Sequence, residues 1–321
     1  MRKIALEEHF MAPDFVEYFG TTAVNLDPHI FQGAVGRLSD FDGRRLEEMD
    51  AYGVDVAVLS LAGPGVQVER DAGLAVRRAR EVNDFLAREV RKRPNRFGGL
   101  AHLAMQDPAA AADELERCVR ELGFQGAMIN GQTNGEYLDL DRYAPFWERA
   151  EALQAPIYIH PANPFDMPHM YSGHPELYGP TWSWTVETAT HALRLVFGGV
   201  FDRYPGAKVI LGHMGETLPY LLWRFDSRWR IAKHGRTLKR QPSEYIKDNI
   251  AVTTSGVCSN EPLLCALAAL GEDGVMFSVD YPFEATAEAV RFIEQAPLSD
   301  ELRAKVCHRN AERILRLPSA P

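Results

Sequence analysis

Ile4-Ala5-Leu6-Glu7-Glu8-His9 is a short apolar run that ends in three polar residues, and the rest of the chain repeats its pattern. Side chains of a β-strand alternate between faces, so Glu7 and His9 project to one side and Glu8 to the other. Glu7-x-His9 is therefore a two-ligand clip for a metal ion. A charged pair closing an edge strand gives the same motif, so further ligands have to come from elsewhere in the chain.

Apolar and β-branched runs of the same kind make up eight expected strands: Lys3–Glu7, Val54–Ser60, Phe97–Leu103, Phe124–Asn130, Pro156–His160, Ala207–Gly212, Ile250–Ser255 and Gly274–Asp280. Segments of helical periodicity separate them: Arg44–Tyr52, Ala72–Arg93, Pro108–Leu122, Ala144–Leu153, Thr188–Tyr204, Thr217–Ile231, Glu261–Leu270 and Glu284–Gln295, with Ser299–Leu315 closing the chain. Repeated βα units imply a parallel sheet, and eight of them imply the α/β class with one (β/α)8 TIM-like barrel. No tract of Gly, Ser or Pro divides the sequence, so residues 1–321 read as a single domain. Long connections follow strand 1 (Phe10–Asp42) and strand 5 (Pro161–Trp184). Both fall on the C-terminal face of the barrel, where sites are built. The second carries Phe165, Tyr171, Tyr178, Trp182 and Trp184, which suit an aromatic pocket wall, a subunit contact or a satellite hydrophobic cluster.

With 46% hydrophobic and 25% charged residues the chain has the composition of a soluble globular protein. Disorder is expected only at Ser319-Ala320-Pro321. The net charge of −9 argues against a nucleic-acid partner. A membrane partner is not expected either, because no stretch approaches a membrane span and Met1-Arg2-Lys3 precedes too few apolar residues for a signal peptide. A cytoplasmic location follows as the expectation. Cys118, Cys258, Cys265 and Cys307 have no CxxC spacing, so buried, reduced thiols are expected.

The expected strands end in His9, Ser60, His102, Asn130, His160, His213, Ser255 and Asp280. A barrel gathers such ends around one pocket, where Glu7, His9, His160 and Asp280 form a mixed oxygen and nitrogen set suited to Zn²⁺ or Mn²⁺. For Asp280 the competing reading is an N-cap of the following helix. His213 lies in Leu211-Gly212-His213-Met214-Gly215-Glu216, where the glycines allow a close backbone approach to a ligand. Glu216 is placed to orient His213 or transfer protons; the alternative is a carboxylate that complements a helix dipole.

Ala5-Leu6-Glu7-Glu8-His9-Phe10, Tyr158-Ile159-His160-Pro161, Gly212-His213-Met214-Gly215-Glu216 and Phe277-Ser278-Val279-Asp280-Tyr281-Pro282-Phe283-Glu284 together resemble the amidohydrolase-2 group of the amidohydrolase superfamily. Within it the chain looks most like metal-dependent nonoxidative hydroxybenzoate decarboxylases, from about residue 3 to about residue 316; Pro64-Gly65-Val66-Gln67, Asn83-Asp84 and Asn310-Ala311 fit as well. The resemblance implies a barrel enzyme with one divalent metal held by Glu7, His9, His160 and Asp280, and with His213 and Glu216 beside the substrate. It also implies that Asp280 is the acid that protonates the ring, and that Arg224 binds substrate. A homodimer or homotetramer is implied in the same way. One departure bears on substrate identity: relatives often read His-Pro-Arg-Asn-Pro where this chain has His160-Pro161-Ala162-Asn163-Pro164.

The reaction this implies is loss of CO2 from an ortho-hydroxybenzoate, such as 2,6- or 2,3-dihydroxybenzoate, by chelation to the metal and protonation of the ring carbon. Phe283 and the loop after His160 would wall the ring, and Asn130 would contact the substrate. Asp280 needs like charges nearby, such as Glu216 or the substrate, to hold its proton against the metal. The rivals are a metal-dependent hydrolase of a lactone or amide and a hydratase of an unsaturated diacid. Two features lean against hydrolysis: the clip is Glu-x-His and not His-x-His, and Phe124–Asn130 offers no lysine for a carbamate bridge.

Overall fold

The computed structural model describes residues 1–22 and 27–318, so the expectation for residues 319–321 lies outside the described residues. Its centre is one eight-stranded parallel sheet in sequential order. The strands are β1 (Ile4–Phe10), β2 (Val56–Leu61), β3 (Phe97–His102), β4 (Gly126–Asn130), β5 (Ile157–His160), β6 (Val209–Leu211), β7 (Ile250–Thr253) and β8 (Val275–Met276). Each is followed by helical structure. Ile4, Leu6, Val56, Val58, Leu100, Met128, Tyr158, Ile210 and Met276 fill the barrel interior, while Ala57, Leu59, Ile129, Ile157, Ile159 and Leu211 pack outward against the helices. That alternation is the period of two that the sequence shows.

β1 breaks the alternation at one point. Ala5 pairs with Ala57 and Glu8 with Leu59, so three steps on β1 match two on β2. This bulge lets Leu6 plug the interior while Glu7, the next residue, also turns inward to Tyr158. The Ser278 hydroxyl accepts from both amides, Leu6 N at 2.9 Å and Glu7 N at 2.6 Å. Closure between β8 and β1 continues with His9 N to Tyr281 O at 2.8 Å and Val279 N to the Glu8 carboxyl at 2.9 Å.

Several expected boundaries move for identifiable reasons. The β8 ladder is short because Phe277 N donates to Val306 O and Ser278 N to the Thr254 hydroxyl. The closing helix is interrupted by a π-turn at Lys305–Arg309, which presents the Val306 carbonyl to β8. The helix expected at Thr188–Tyr204 starts earlier, as Ser183–Phe197, and a left-handed Gly199 separates it from Val200–Arg203. The connection after β1 holds the helices Val16–Thr22 and Pro28–Leu38, and the connection after β5 holds short 3-10 turns. Cys118 and Cys307 are buried free thiols, whereas Cys258 and Cys265 are only partly buried, contrary to the expectation for all four. Among the described residues no helix is long and apolar enough to cross a membrane.

Replacing Ser278 with alanine strands two buried amide donors, each worth about 1–3 kcal/mol when unsatisfied. The urea midpoint of S278A should fall by an amount corresponding to about 2 kcal/mol or more; an unchanged midpoint would show that the bulge does not depend on this hydroxyl.

Candidate metal centre

Glu7, His9, His160 and Asp280 meet at the C-terminal mouth of the barrel, each offering one ligand atom, with all four atoms within 4.8 Å of one another. His9 Nε2 lies 3.2 Å from Asp280 Oδ1, and His160 Nε2 lies 3.5 Å from Glu7 Oε1. Glu7 Oε1, His9 Nε2 and Asp280 Oδ1 are buried and have no hydrogen-bond partner among the described residues. Buried polar atoms are rarely left unpaired, and here all three face the same small space. A divalent cation is the partner that two carboxylates and two imidazoles would share, so the residues present fit the metal their sequence implied.

The surrounding contacts hold the donors in place. His160 Nδ1 bonds the Pro161 carbonyl at 2.8 Å, which leaves Nε2 as the free nitrogen. Burial, followed by the neighbouring His9, pushes the His160 pKa down to about 3, so its imidazole is neutral and able to donate a lone pair. The Ser60 hydroxyl lies 3.2 Å from His9 Nδ1. Burial raises the Glu7 pKa against the opposing pull of His213. For Asp280 burial also acts upward, but the imidazoles of His213 and His9 outweigh it and hold the carboxyl below its ordinary range. The imidazoles of His213 and His9 thus dominate the surroundings of Asp280.

His213 sits 3.6 Å from Asp280 Oδ2 through Nε2, and 2.8 Å from Glu216 Oε1 through Nδ1. Burial disfavours its charged form, yet Glu216 and Glu7 overcome this and raise its pKa well above the usual value. The backbone from His213 to Thr217 is left-handed at every residue, with φ between 50° and 78°. Non-glycine residues avoid this region, and such strain concentrates at functional sites. The turn directs Glu216 onto His213 before the next helix begins at Leu218. Asp280 likewise points its carboxylate at His9 and His213, while only its backbone carbonyl accepts from Phe283 and Glu284.

The other expected site residues are less uniformly placed. Phe283 is 46% exposed, with its ring 5.7 Å from that of His9. Trp184 lies 6.3 Å from the His160 ring and is fixed by Nε1 donating to Asn163 Oδ1 at 2.7 Å. Phe165 and Trp182 are exposed, so only part of the aromatic loop lines the mouth. Asn130 is buried at the end of β4 in register with His160; its Nδ2 reaches the Pro64 carbonyl at 3.5 Å and its Oδ1 has no partner. Arg224 is exposed on helix Leu218–Ile231. Ala162, where the arginine of relatives is missing, is buried against Gly131.

Sequence reading overlooked the residues behind the donors. Tyr158 and Ser255 both donate to Glu7 Oε2, and Thr253 bridges their hydroxyls at 2.8 Å and 3.0 Å. Tyr158 lies two residues before His160, on the same face of β5, and that offset was the available signal. On the outer face of β1, Glu8 lines a small cavity with Arg45, Val279 and Tyr281. Arg45 donates to the His9 carbonyl at 2.6 Å and stacks on Tyr281 at 4.5 Å.

The family model for amidohydrolases matches residues 9–317. The chain belongs to the amidohydrolase family. Within that family it is 43% identical to a γ-resorcylate decarboxylase of Polaromonas sp. (strain JS666), over 98% of both chains. It is also similar to a solved 2,6-dihydroxybenzoate decarboxylase in complex with 2,6-dihydroxybenzoate, with a TM-score of 0.93 and 41% identity, covering 99% of this chain and 100% of the other. A dihydroxybenzoic acid decarboxylase from Polaromonas sp. JS666, solved with bound manganese and the inhibitor 2-nitroresorcinol, has a TM-score of 0.93 and 43% identity over 99% and 98% of the two chains.

Burial raises the Glu8 pKa to about 8, against the opposing effects of the Val279 amide and Arg45. Folded protein thus holds a proton that unfolded protein releases at lower pH, so this group subtracts stability as pH rises from the ordinary carboxylate range through about 8. Glu8→Gln should match the wild type near pH 5 and exceed it near pH 9 in chemical denaturation; parallel pH profiles would contradict this assignment.

Proposed function

We propose that this protein is a metal-dependent nonoxidative decarboxylase that converts an ortho-hydroxybenzoate into the corresponding phenol and CO2. The observation that carries the reading is the buried cluster of Glu7, His9, His160 and Asp280, three of whose donor atoms have no hydrogen-bond partner among the described residues. Support for the substrate class comes from the full-length similarity to γ-resorcylate and 2,6-dihydroxybenzoate decarboxylases, which makes 2,6-dihydroxybenzoate the first candidate. Mn²⁺ or Zn²⁺ suits the donor set. When bound, the ion supplies positive charge that holds the substrate's carboxylate and ortho oxygen together and stabilises charge on them.

The side chains then have to deliver one proton to the ring carbon that bears the carboxylate. Asp280, with its carboxyl held ionised, does not carry that proton at rest, whereas His213 does. His213 Nε2 is 3.6 Å from Asp280 Oδ2. In this reading His213 passes its Nε2 proton to Asp280, and Asp280 passes it on to carbon; the carbon–carboxylate bond then breaks and its electrons restore the aromatic ring. Glu216 keeps the Nδ1 side of His213 occupied and stabilises the imidazolium before transfer. Phe283 and Trp184 bound the mouth and supply apolar surface for the ring.

A homo-oligomer belongs to the same reading. Tyr220, Trp223 and Ile231 stand 81%, 73% and 70% exposed on helix Leu218–Ile231, at a spacing that puts them on one face.

Manganese-loaded protein should release CO2 from 2,6-dihydroxybenzoate and open neither lactones nor simple amides. Asp280→Asn should abolish CO2 release, and His213→Asn should lower kcat by about 10²–10⁴-fold. Undiminished turnover by verified metal-free protein, or lactone opening without CO2, would overturn the proposal.

A further inference from the structure

The two carboxylate oxygens of Glu7 differ sharply in their surroundings. Oε2 receives two hydroxyl donors, Tyr158 from β5 and Ser255 from the end of β7. Thr253 lies 2.8 Å from the Tyr158 hydroxyl and 3.0 Å from the Ser255 hydroxyl, and His213 N donates to the Ser255 hydroxyl at 3.2 Å. The protons can be counted: Tyr158 and Ser255 each spend their single hydroxyl hydrogen on Oε2, and Thr253 donates to one of them. The backbone also comes close to this carboxylate, for a Cβ on Gly212 would stand 2.5 Å from Oε2, 3.0 Å from the Ser255 hydroxyl and 3.1 Å from Oε1. Oε1, by contrast, has no hydrogen-bond partner among the described residues and looks toward His160 Nε2 at 3.5 Å and His213 Nε2 at 4.0 Å.

A carboxylate binds a metal through one oxygen or through both. We infer that Tyr158 and Ser255 are positioning residues that confine Glu7 to one metal-facing oxygen, Oε1, and thereby keep a coordination position free for the second oxygen of a chelating substrate. The inference rests on the metal-dependent reading above. Manganese favours six ligands, and four side chains giving one atom each leave two positions, the number a carboxylate and an ortho oxygen need. A Glu7 released from its hydroxyls can turn Oε2 onto the ion and take one of them.

This differs from ordinary support of a ligand, whose removal weakens metal binding by about 10–100-fold. Here the freed oxygen replaces the lost support. The test compares wild type with Tyr158→Phe, Ser255→Ala and the double variant, each titrated with Mn²⁺ and then with 2,6-dihydroxybenzoate. Free Mn²⁺ is followed by electron paramagnetic resonance and metal-bound water by proton relaxation. The expected result is an Mn²⁺ Kd within about tenfold of wild type, fewer exchangeable waters on the bound ion, and 2,6-dihydroxybenzoate binding weakened more than the metal. The near-isosteric Tyr158→Phe, with folding checked by circular dichroism, decides the case in the same direction if the double variant does not fold. Unchanged water count in every folded variant, with Mn²⁺ affinity alone reduced, would overturn the inference. Failure of the wild type to bind Mn²⁺ would instead overturn the metal-dependent reading itself.

Discussion

The Ser278 hydroxyl, taking hydrogen bonds from two successive amides of β1, is the contact on which the site depends. An unbroken strand with Ile4 and Leu6 in the barrel core would send Glu7 outward among the helices. The bulge that Ser278 holds lets the strand fill the core and then present Glu7 and His9 to the mouth. The partner in this closure is the loop that carries Asp280, so one seam brings three of the four candidate ligands together. Arg45 secures the outer side of that seam through the His9 carbonyl and the Tyr281 ring.

Around the seam the polar groups are arranged unevenly, and the unevenness carries the chemistry. Every candidate ligand is buried, yet Glu7 Oε1, His9 Nε2 and Asp280 Oδ1 lack partners, while the opposite atoms of the same groups are engaged by Tyr158, Ser255, Ser60 and His213. Groups so fixed on one side and bare on the other are organised for an ion before it arrives. His213 and Asp280 are driven in opposite directions by one shared environment.

Much of this was legible from the chain, and the parts that were not have physical reasons. The helices Arg44–Tyr52 and Ala144–Leu153 have the bounds their periodicity gives. Strand ends pointed to the residues gathered at the mouth because a parallel barrel leaves them nowhere else to go. The β1 bulge was hidden, since its cause is a serine more than 250 residues away. The left-handed turn at His213–Thr217 was hidden too: Met214, Glu216 and Thr217 have no local preference for that region, and tertiary contacts impose it. Tyr158 and Ser255 stood in a quoted motif and at a strand end, but their sequence positions alone do not say that their hydroxyls serve Glu7. Arg224 followed from motif resemblance alone; it is exposed on its helix.

The central claim is that the bare donor atoms share one ion. A crystal structure of the manganese-loaded protein, with the ion located by its anomalous scattering, tests this most directly. The account predicts a single buried peak bonded to Glu7 Oε1, His9 Nε2, His160 Nε2 and the Asp280 carboxylate, with Glu7 Oε2 still on Tyr158 and Ser255. A peak elsewhere, or none at saturating Mn²⁺, would contradict it.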